Sequence, residues 1–403
     1  MKLLWLKTGF LHPTSSGGQI RTLEMLRCLH KRHEIHYVAF NTPGEPEGVA
    51  RSGEYCTRAY PVELRIPPKA SVRFQVQVLR SVFEAVPLTI SRYRSVTMRR
   101  QIDALIASGQ FDRVICDFLT PAINLSSMHG VVLFQHNVES IIWQRRAAQA
   151  KHLIDRLYLH LQADRMIKYE EKVCRAAAHV VAVSAADANV MHNLFDLKAV
   201  SHISTGVDLN YFSSSNDRSS TSDLVFIGSM DWAPNIDGIL FFVREILPLI
   251  WRKRPQCKLT IVGRQPKDEI LKLPRSDPRI VVTGTVKDIR PYLFGSMVSI
   301  VPLRIGGGTR LKIYEAMAAK VPTISTTVGA EGLVARHPDE IRIADSPAEF
   351  AENCLELLSD APTRARIANA GWDLVNSRFS WDEVTLDFEK QLIERGADRG
   401  SDL

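Results

Sequence analysis

Residues 298–316 read Val-Ser-Ile-Val-Pro-Leu-Arg-Ile-Gly-Gly-Gly-Thr-Arg-Leu-Lys-Ile-Tyr-Glu-Ala. The apolar run that ends at Pro302 predicts a buried strand, and the later apolar positions Leu311 and Met317 predict a helix. Three consecutive glycines join the two, and a backbone without Cβ atoms lets amide N–H groups approach an anion closely. Strand-like runs alternate with helical stretches along the whole chain, which predicts an α/β fold with parallel sheets.

The residues after the glycines indicate which anion this loop would bind. A helix that starts near Thr309 adds its unpaired N–H groups and the positive end of its dipole. Arg310 and Lys312 bring two positive charges into the first turn, where cations are disfavoured unless an anion lies opposite them. Together with the backbone amides of Gly307 and Gly308, these residues predict a phosphate site.

Glu315 lies three residues after Lys312, on the same face of the predicted helix. Its carboxylate can accept two hydrogen bonds from a vicinal diol such as ribose. A phosphate site and a diol acceptor about one turn apart suit a nucleoside diphosphate. The alternative is a tight turn followed by a surface helix with an ordinary Lys–Glu pair, and the spacing alone leaves both open.

Two other phosphate-binding motifs do not fit this stretch. The dinucleotide fingerprint G-x-G-x-x-G, counted from Gly306 and Gly308, needs a third glycine where Leu311 stands. A Walker loop needs Gly-Lys followed by Ser or Thr, and the stretch lacks that sequence. Nicotinamide-dependent and P-loop chemistry are therefore disfavoured.

The composition is that of a globular protein with enough apolar residues for two domains. Of the 403 residues, 45% are hydrophobic and 24% are charged. No stretch is apolar enough to predict a membrane span, and the apolar start is too short for a signal peptide. The six cysteines are scattered without a C-x-x-C motif, which is typical of buried reduced thiols. These features predict a cytoplasmic protein, with peripheral attachment to the inner face of the plasma membrane as an option.

A serine-rich stretch over residues 212–223 interrupts the strand–helix alternation and is typical of an exposed linker. The expected organisation is a first domain over 1–205, a linker over 206–223, a second domain over 224–378 and a C-terminal helix and tail over 379–403. That last helix carries an apolar stripe and must dock on another surface. In the first domain, one long helix is expected over 139–176, with Asn137 as its N-cap.

The net charge of +7 is concentrated in residues 65–100, where eight basic residues stand against one acidic residue, Glu84. Aliphatic residues and phenylalanines are interleaved with them. The pattern is typical either of a basic amphipathic surface that meets an anionic membrane or of helices with a solvated basic face. Nucleic acid is disfavoured as a partner, because no recognisable nucleic-acid-binding module is present.

The stretch from Pro302 to Gly332 resembles the donor-binding segment of family 4-type glycosyltransferases, which have the GT-B fold. Further matches are Gly17-Gly18 after the first strand, His136-Asn137-Val138-Glu139, and Gly206-Val207-Asp208. The resemblance implies two Rossmann-like domains that face a central cleft, with a C-terminal helix that crosses back to the first domain. It also implies sugar transfer from a nucleotide donor with retention at the anomeric carbon and no metal. The nucleotide sugar is a substrate in such enzymes, so no cofactor is expected.

The same resemblance assigns roles to polar residues outside the glycine loop. His136 occupies a position where the family often has a polar residue that touches the transferred sugar. Gly17 and Gly18 can approach the donor phosphates or the acceptor, although a simple strand–helix turn also explains them. Arg264, which follows an apolar run, is expected to assist at the phosphates.

Two positions depart from the family pattern. Residues 228–235 lack the Arg and Lys that many members carry there, so Arg310 and Lys312 must supply the positive charge. The second of the family's paired glutamates is Glu315, but the first falls on Gly307, which removes the usual carboxylate contact to the sugar hydroxyls.

The expected function is transfer of a sugar from a nucleotide-diphosphate donor to a glycan or lipid-linked acceptor, in surface polysaccharide or glycoconjugate synthesis. His136, Arg310 and Lys312 are the expected catalytic residues, and no side chain emerges as a nucleophile. A nucleotide-sugar epimerase of the same fold and a non-catalytic nucleotide-sugar-binding protein are the alternatives. The Arg–Lys pair missing from residues 228–235 and the glutamate replaced by Gly307 are changes expected in an enzyme that has lost its activity. The alternative of a non-catalytic binding protein therefore stays open.

Overall fold

The computed structural model describes residues 1–14, 16–42, 46–68, 71–148, 150, 152–213, 222–305 and 311–397. The chain divides into two compact units. Unit 1 comprises Met1–Ser204 together with the residues from Val384 onward, and unit 2 comprises Thr205–Glu383. Within the described ranges, no helix is both long and apolar enough to cross a membrane. All six cysteines are buried and free of disulfide bonds, as the sequence predicts.

The elements of the described ranges follow in chain order. The strands are β1 Lys2–Leu6, β2 Glu34–Asn41, β3 Arg58–Glu63, β4 Arg113–Asp117, β5 Val131–Gln135, β6 His179–Ala182, β7 Val200–His202, β8 Ser222–Ile227, β9 Leu259–Val262, β10 Ile280–Gly284, β11 Ser296–Val301, β12 Thr323–Ser325 and β13 Arg342–Ile343. The α-helices are α1 Gly17–His30, α2 Pro46–Ala50, α3 Val72–Ser81, α4 Leu88–Ser91, α5 Val96–Ala107, α6 Glu139–Ala148, α7 Leu153–Ala176, α8 Ala185–Phe195, α9 Leu209–Ser213, α10 Ala233–Phe241, α11 Leu247–Lys253, α12 Asp268–Leu271, α13 Leu273–Ser276, α14 Arg290–Phe294, α15 Leu311–Ala318, α16 Pro347–Ser359, α17 Ala361–Arg378 and α18 Trp381–Ala397. Two 3-10 turns, Ser52–Glu54 and Thr120–Asn124, and a π-helical turn, Phe242–Ile246, complete them.

Unit 1 is built on a parallel seven-stranded sheet in the order β3-β2-β1-β4-β5-β6-β7. Its central strand is continuously apolar and buried over residues 3–6, because helices cover both faces of a parallel sheet. Leu4 of this strand aligns with His36 of β2 on one side and with Val114 of β4 on the other. The strand order therefore changes direction between β1 and β4, and their carboxyl ends form the switch point where such sheets bind ligands.

Unit 2 has a parallel six-stranded sheet in the order β10-β9-β8-β11-β12-β13. Its order also changes direction at one place, between β8 and β11, where Val298 aligns with Leu224. The expectation of two Rossmann-like α/β domains is confirmed by these two sheets. In unit 2 the switch point brings the carboxyl end of β8 beside the strand that leads into the glycine-rich stretch.

The C-terminal helix α18 starts in unit 2 and belongs to unit 1 from Val384 onward. Phe388 is fully buried and packs edge-on against Trp5 of β1, with the ring centroids 6.0 Å apart. Glu389 pairs with Arg32 at 2.8 Å, just beyond the end of α1. The apolar stripe of this helix therefore docks on the first domain, as the resemblance implied.

The prediction of one long helix over residues 139–176 is wrong, because two helices, α6 and α7, occupy this stretch. The sequence between them has no glycine or proline, so local helix propensity favours continuation. The carboxylate of Glu170 in α7 accepts hydrogen bonds from the backbone N–H groups of Glu139 (3.0 Å) and Ser140 (2.7 Å). This contact caps the start of α6, the role expected of Asn137, and it requires α7 to return alongside α6, so the chain turns between the two helices.

Candidate active site

In unit 2, the loops after β8 and β9 lie backbone against backbone at the switch point. The N–H of Gly228 donates to the carbonyl of Val262 (2.9 Å), and the N–H of Met230 donates to that of Arg264 (2.9 Å). A Cβ atom on Gly263 would come within 1.8 Å of the carbonyl oxygen of Gly228, so this approach requires glycine. The two loops therefore form one packed unit, from which the side chain of Arg264 extends.

Lys312 on α15 reaches back to the carboxyl end of β8. Its ammonium donates to Oδ1 of the buried Asn235 (3.0 Å) and lies 4.3 Å from the ring centroid of Phe226. Asn235 is held in turn by donating to the carbonyl of Ser229 (2.9 Å). A Cβ atom on Gly228 would lie 2.8 Å from Nζ of Lys312, so Gly228 leaves the space that the ammonium needs.

Glu315 lies one turn further along α15. Burial raises the pKa of its carboxyl to about 7, against a smaller lowering effect of Lys312. Among the described residues, no hydrogen bond or ion pair is formed by this carboxylate. The residue is half-buried, and a partly desolvated carboxylate without a donor among the described residues is a favourable acceptor for hydroxyl groups of a ligand.

Arg264 lies near this group but is engaged within its own loops. Its Nε donates to the hydroxyl of Ser229 (3.0 Å), and its guanidinium lies 3.8 Å from the carboxylate of Asp231. The structure thus brings Arg264 and Lys312 to the same segment, residues 228–235, through Ser229 and Asn235 respectively. The other residues predicted for the phosphate site, Gly307, Gly308, Thr309 and Arg310, lie outside the described residues.

In unit 1, Gly17 and Gly18 form the first turn of α1, directly at the carboxyl end of β1. Ser16 is the N-cap, and its hydroxyl accepts a hydrogen bond from the N–H of Gln19 (3.4 Å). A Cβ atom on Gly18 would lie 2.8 Å from the ring of Phe118 and 3.6 Å from Nδ1 of His136. The glycine therefore lets the helix start come close to both aromatic rings.

His136 is 5% exposed and is fixed on two sides. Its ring stacks on Phe118 with the centroids 3.9 Å apart, and its Nε2 lies 2.9 Å from Oδ1 of Asp117. Burial lowers its pKa to about 3, although the charge of Asp117 acts in the opposite direction. The imidazole is therefore neutral at physiological pH.

Phe118 carries a strained backbone at this point. Its φ of +76° lies in the left-handed region, which bulky residues avoid, and such strain costs about 1–3 kcal/mol. The Phe118 ring contacts two polar side chains: it stacks with His136, and Nζ of Lys7 lies 4.5 Å from its centroid. Strained residues of this kind concentrate at functional sites, where surrounding contacts hold them in place.

Lys7 and Asp117 form a buried ion pair at the switch point that sequence reasoning missed. Nζ of Lys7 lies 2.9 Å from Oδ2 of Asp117, and the two side chains are 5% and 0% exposed. Burial would raise the pKa of the Asp117 carboxyl, but Lys7 and His136 together hold it below its ordinary value. The available signal was a charged residue directly at the end of each of two apolar strands that flank a predicted switch point.

Glu170 anchors the segment that carries His136. Besides the two amides of α6, its carboxylate accepts hydrogen bonds from the amide of Gln135 (2.8 Å) and from the hydroxyl of Ser140 (2.5 Å). Burial raises the pKa of Glu170 to about 7. Since Gln135 and Ser140 lie on either side of His136, this cluster holds the loop between β5 and α6.

Two family models match the sequence. The model described as Glycosyltransferase Family 4 matches residues 15–211, and the model described as Glycosyl transferases group 1 matches residues 221–360. A curated relative, an uncharacterized 44.6 kDa protein in the cps region of Klebsiella pneumoniae, is 21% identical over 169 residues. This match covers 40% of the present chain and 44% of the relative, so the chain spans less than half of that protein's length.

Several solved structures share the fold over almost the whole chain. Sucrose-phosphate synthase from Thermosynechococcus elongatus matches with a TM-score of 0.75 and 14% identity, covering 99% of this chain and 100% of that one. HepE of Anabaena, solved in complex with UDP-glucose, matches with a TM-score of 0.68 and 12% identity over 98% and 100% of the two chains. WaaG, a glycosyltransferase involved in lipopolysaccharide biosynthesis, matches with a TM-score of 0.64 and 12% identity over 97% and 98%.

Proposed function

This chain belongs to the family 4-type glycosyltransferases of the GT-B fold, and we propose that it transfers a sugar from a nucleotide-diphosphate donor to a glycan or glycolipid with retention of anomeric configuration. The reaction requires no metal in this proposal. The sugar transfer is proposed to serve the synthesis of a surface polysaccharide or glycoconjugate. The relative from a cps region and the likeness to WaaG support that setting.

One observation carries the proposal: Lys312 and Glu315, one helical turn apart, lie at the switch point of unit 2. The ammonium of Lys312 is held by Asn235 of α10, the helix that follows β8, where a diphosphate would meet it. The carboxylate of Glu315 offers two acceptor oxygens for the ribose diol and has no donor among the described residues. A cation and a diol acceptor at this spacing suit the diphosphate and ribose of one nucleotide.

The chemistry then depends on the leaving group. The bond between the anomeric carbon and the β-phosphate oxygen breaks, and the acceptor hydroxyl attacks that carbon from the same face. Its proton passes to the departing phosphate. Negative charge grows on the diphosphate in this step, so positioned cations accelerate it, and Lys312 with Arg310 supplies them. Gly307 and Gly308 are proposed to add backbone amides, and Arg264 and Thr309 to assist at the phosphates.

In unit 1, we assign His136 to a hydroxyl of a sugar. A neutral, buried imidazole that faces the first turn of α1 is suited to a polar, uncharged group. Gly17 and Gly18 make that approach possible, because a side chain on Gly18 would collide with Phe118. The first domain is thus proposed to serve the sugar and the acceptor, and the second domain to bind the nucleotide.

The acceptor side is proposed to meet an anionic membrane through an apolar–basic surface, defined as α3, Phe83 and the first turns of α7. Its large apolar side chains are strongly exposed: Val72 by 74%, Leu79 by 68%, Phe83 by 89%, Leu153 by 70% and Ile154 by 82%. The guanidinium of Arg165 in α7 donates to the carbonyl of Val82 (2.7 Å), which fixes the end of α3 against α7. The sequence region 65–100 supplies the positive charge in this proposal, through Arg73 and Arg80 of α3 and Arg99 and Arg100 of α5.

The experiment that tests the proposal begins with a thermal-shift screen of UDP, GDP and their hexose conjugates. The nucleotide that stabilises the protein is then offered as its sugar conjugate, and the configuration of the product is read from the anomeric proton by NMR. Transfer with inversion would contradict the retaining mechanism. A changed sugar on the recovered nucleotide would identify an epimerase, and binding without turnover would identify a non-catalytic binding protein.

The leaving-group role is tested by the double variant Arg310→Ala/Lys312→Ala. We expect turnover to fall by about 10²- to 10³-fold, in the range seen when a positioned donor to a developing charge is removed. The matched control is Arg252→Ala/Lys253→Ala, which removes the same charges from an exposed part of α11. Turnover of the double variant within a few-fold of the control would place the phosphate site elsewhere, with Arg264 as the next residue to test.

A further inference from the structure

We propose that Asp117 is a positioning residue that holds His136 as a neutral ring with its proton on Nε2, so that Nδ1 is a permanent acceptor for a hydroxyl group. The assignment of that hydroxyl to a sugar rests on the proposed function. The state of the ring does not rest on it, and the experiment below separates the two.

One oxygen of the Asp117 carboxylate is saturated with hydrogen-bond donors. Three donors converge on Oδ2 of Asp117: the indole N–H of Trp5 (2.9 Å), the hydroxyl of Thr22 (2.7 Å) and the ammonium of Lys7 (2.9 Å). An oxygen surrounded in this way cannot exchange places with a donor group. Oδ1 is therefore the oxygen that faces Nε2 of His136, at 2.9 Å.

The protonation state of Asp117 and His136 follows from the charged groups around them. The carboxyl of Asp117 is ionised, because the charge of Lys7 lowers its pKa despite burial. An ionised carboxylate only accepts hydrogen bonds, so the ring nitrogen beside it must carry the proton. The other charged groups near the ring are Lys7 and Arg21, and both lower the pKa of His136 further. The ring is therefore neutral, and its proton is on Nε2.

Nδ1 of His136 lies in a buried environment. Both ring nitrogens are buried and neither forms a well-aligned hydrogen bond with the described residues, but Nε2 lies 2.9 Å from Oδ1 of Asp117. Among the same residues, Nδ1 has no such contact. It lies 3.6 Å from the position that a Cβ atom would take on Gly18, so it faces the first turn of α1. Stacking on the strained Phe118 prevents the ring from rotating away. A buried acceptor without a donor is costly, and a ligand hydroxyl removes that cost.

The tautomer of His136 determines which ligand group can bind at Nδ1. A protonated histidine would favour a phosphate or carboxylate, whereas an unprotonated Nδ1 repels an anion's lone pairs and selects a hydroxyl donor. Asp117 therefore sets the chemical class of the ligand group at Nδ1 without touching it. Lys7 acts on His136 through Asp117, since its ammonium keeps the buried Asp117 ionised.

The variant Asp117→Asn makes a sharp prediction about the ring. The three donors around the former Oδ2 require the amide oxygen there, which turns the amide NH2 group toward Nε2 of His136. The ring must then accept at Nε2 and carry its proton on Nδ1. The corresponding Asp-to-Asn change in serine proteases reverses the histidine tautomer in the same way and leaves the geometry intact.

The experiment is ¹⁵N NMR of the histidine rings in the full-length protein, with His136→Gln used to assign the resonance. We expect the wild-type ring to show the Nε2–H neutral pattern at pH 6 and pH 8 (about half a unit below the ordinary histidine pKa and well above it) and the Asp117→Asn ring to show the Nδ1–H pattern. The control, Asp112→Asn, makes the same chemical change beside the amino end of β4 and should leave the wild-type pattern. An Nδ1–H pattern in the wild type, or a ring that titrates near 6.5, would overturn the proposal.

Binding and turnover separate this proposal from the proposed function. Asp117→Asn should lower sugar transfer by about 10- to 100-fold, the range for one buried hydrogen bond lost, and should leave affinity for the stabilising UDP or GDP unchanged. The expected NMR patterns without any nucleotide binding would contradict the proposed function and support the assignment of Asp117. If Asp117→Asn does not fold, the wild-type spectrum decides, because only the proposed tautomer leaves Nδ1 unprotonated.

Discussion

Replacing Glu315 by glutamine tests the nucleotide site through two opposite effects, a gain of stability and a loss of affinity. The carboxyl titrates near pH 7 in the folded protein and near its ordinary 4.5 when unfolded. Because the folded-state value is the higher one, the folded protein binds this proton more tightly than the unfolded chain does. The stability that the protonated carboxyl contributes is therefore complete below pH 4.5 and is lost as the pH rises through 7.

The magnitude follows from those two pKa values. Ionised Glu315 costs about 2–3 kcal/mol of folding free energy at pH 8, after allowance for some remaining exposure of the residue. Glutamine has the same shape and does not ionise, so Glu315→Gln should melt at a higher temperature than wild type at pH 8. The two proteins should converge toward pH 4.5.

Nucleotide affinity should change in the opposite direction. Loss of the charged acceptor should weaken binding of the stabilising nucleoside diphosphate by about 1.5–3 kcal/mol. For the sugar conjugate, whose phosphates do not titrate near neutrality, wild-type affinity should decline as the pH falls below 7, and the variant should show no such decline. Isothermal titration calorimetry at pH 6 and pH 8 (on either side of a carboxyl pKa of about 7) measures both quantities.

The matched control is Glu352→Gln, an exposed carboxylate on α16 of the same unit. It should change neither the melting temperature nor the affinity. A Glu315→Gln protein that binds the nucleotide as tightly as wild type would refute the diol role. A variant that is less stable at pH 8 would refute the argument from burial.

Three further outcomes are expected. Gly228→Ala should weaken nucleotide affinity, because its Cβ atom would lie 2.8 Å from Nζ of Lys312, whereas Gly53→Ala meets nothing within 4 Å and serves as the control; equal affinities would show that the ammonium position is unimportant. Vesicles that contain anionic lipid should co-sediment with the protein at low salt and release it as salt rises, since each cation near the surface contributes about 1 kcal/mol. Neutralising the four arginines of the 65–100 region should abolish that binding without affecting the nucleotide, and failure of the wild type to bind at low salt would favour a soluble acceptor. Turnover should survive treatment with EDTA, and restoration of lost activity by a divalent cation would contradict the metal-independent mechanism.

Local sequence was sufficient to bring together Lys312 and Glu315, two residues of the proposed nucleotide site. Lys312 and Glu315 are three residues apart, and helical geometry alone places them on one face. The apolar runs that alternate with helical stretches likewise predict two parallel sheets, because a parallel sheet needs a crossover segment after each strand. These predictions depend on interactions within a few residues of each other, which a single sequence contains.

The long-range contacts that hold such residues in place could not be predicted from the neighbouring sequence. Asn235 holds Lys312 from 77 positions away, and nothing in its own segment marks it as a partner of a lysine on another helix. Glu170 of α7 accepts hydrogen bonds from the first two amides of α6, so α7 must return alongside α6 and the chain must turn between them, although helix propensity in the intervening residues favours continuation. Both cases are polar groups that pair only after the chain has packed.

The sequence by itself determined the alternation of strands and helices, the proximity of Lys312 and Glu315 on one helix and the presence of His136 after a buried strand. Only the tertiary structure decided what state those groups are in. Lys7, Asp117 and His136 are far apart in sequence, and they meet because β1, β4 and β5 are neighbours in the sheet. The burial that follows shifts the pKa of His136 to about 3 and that of Glu315 to about 7. Desolvation depends on what surrounds a charge, and distant parts of the chain supply those surroundings when it folds.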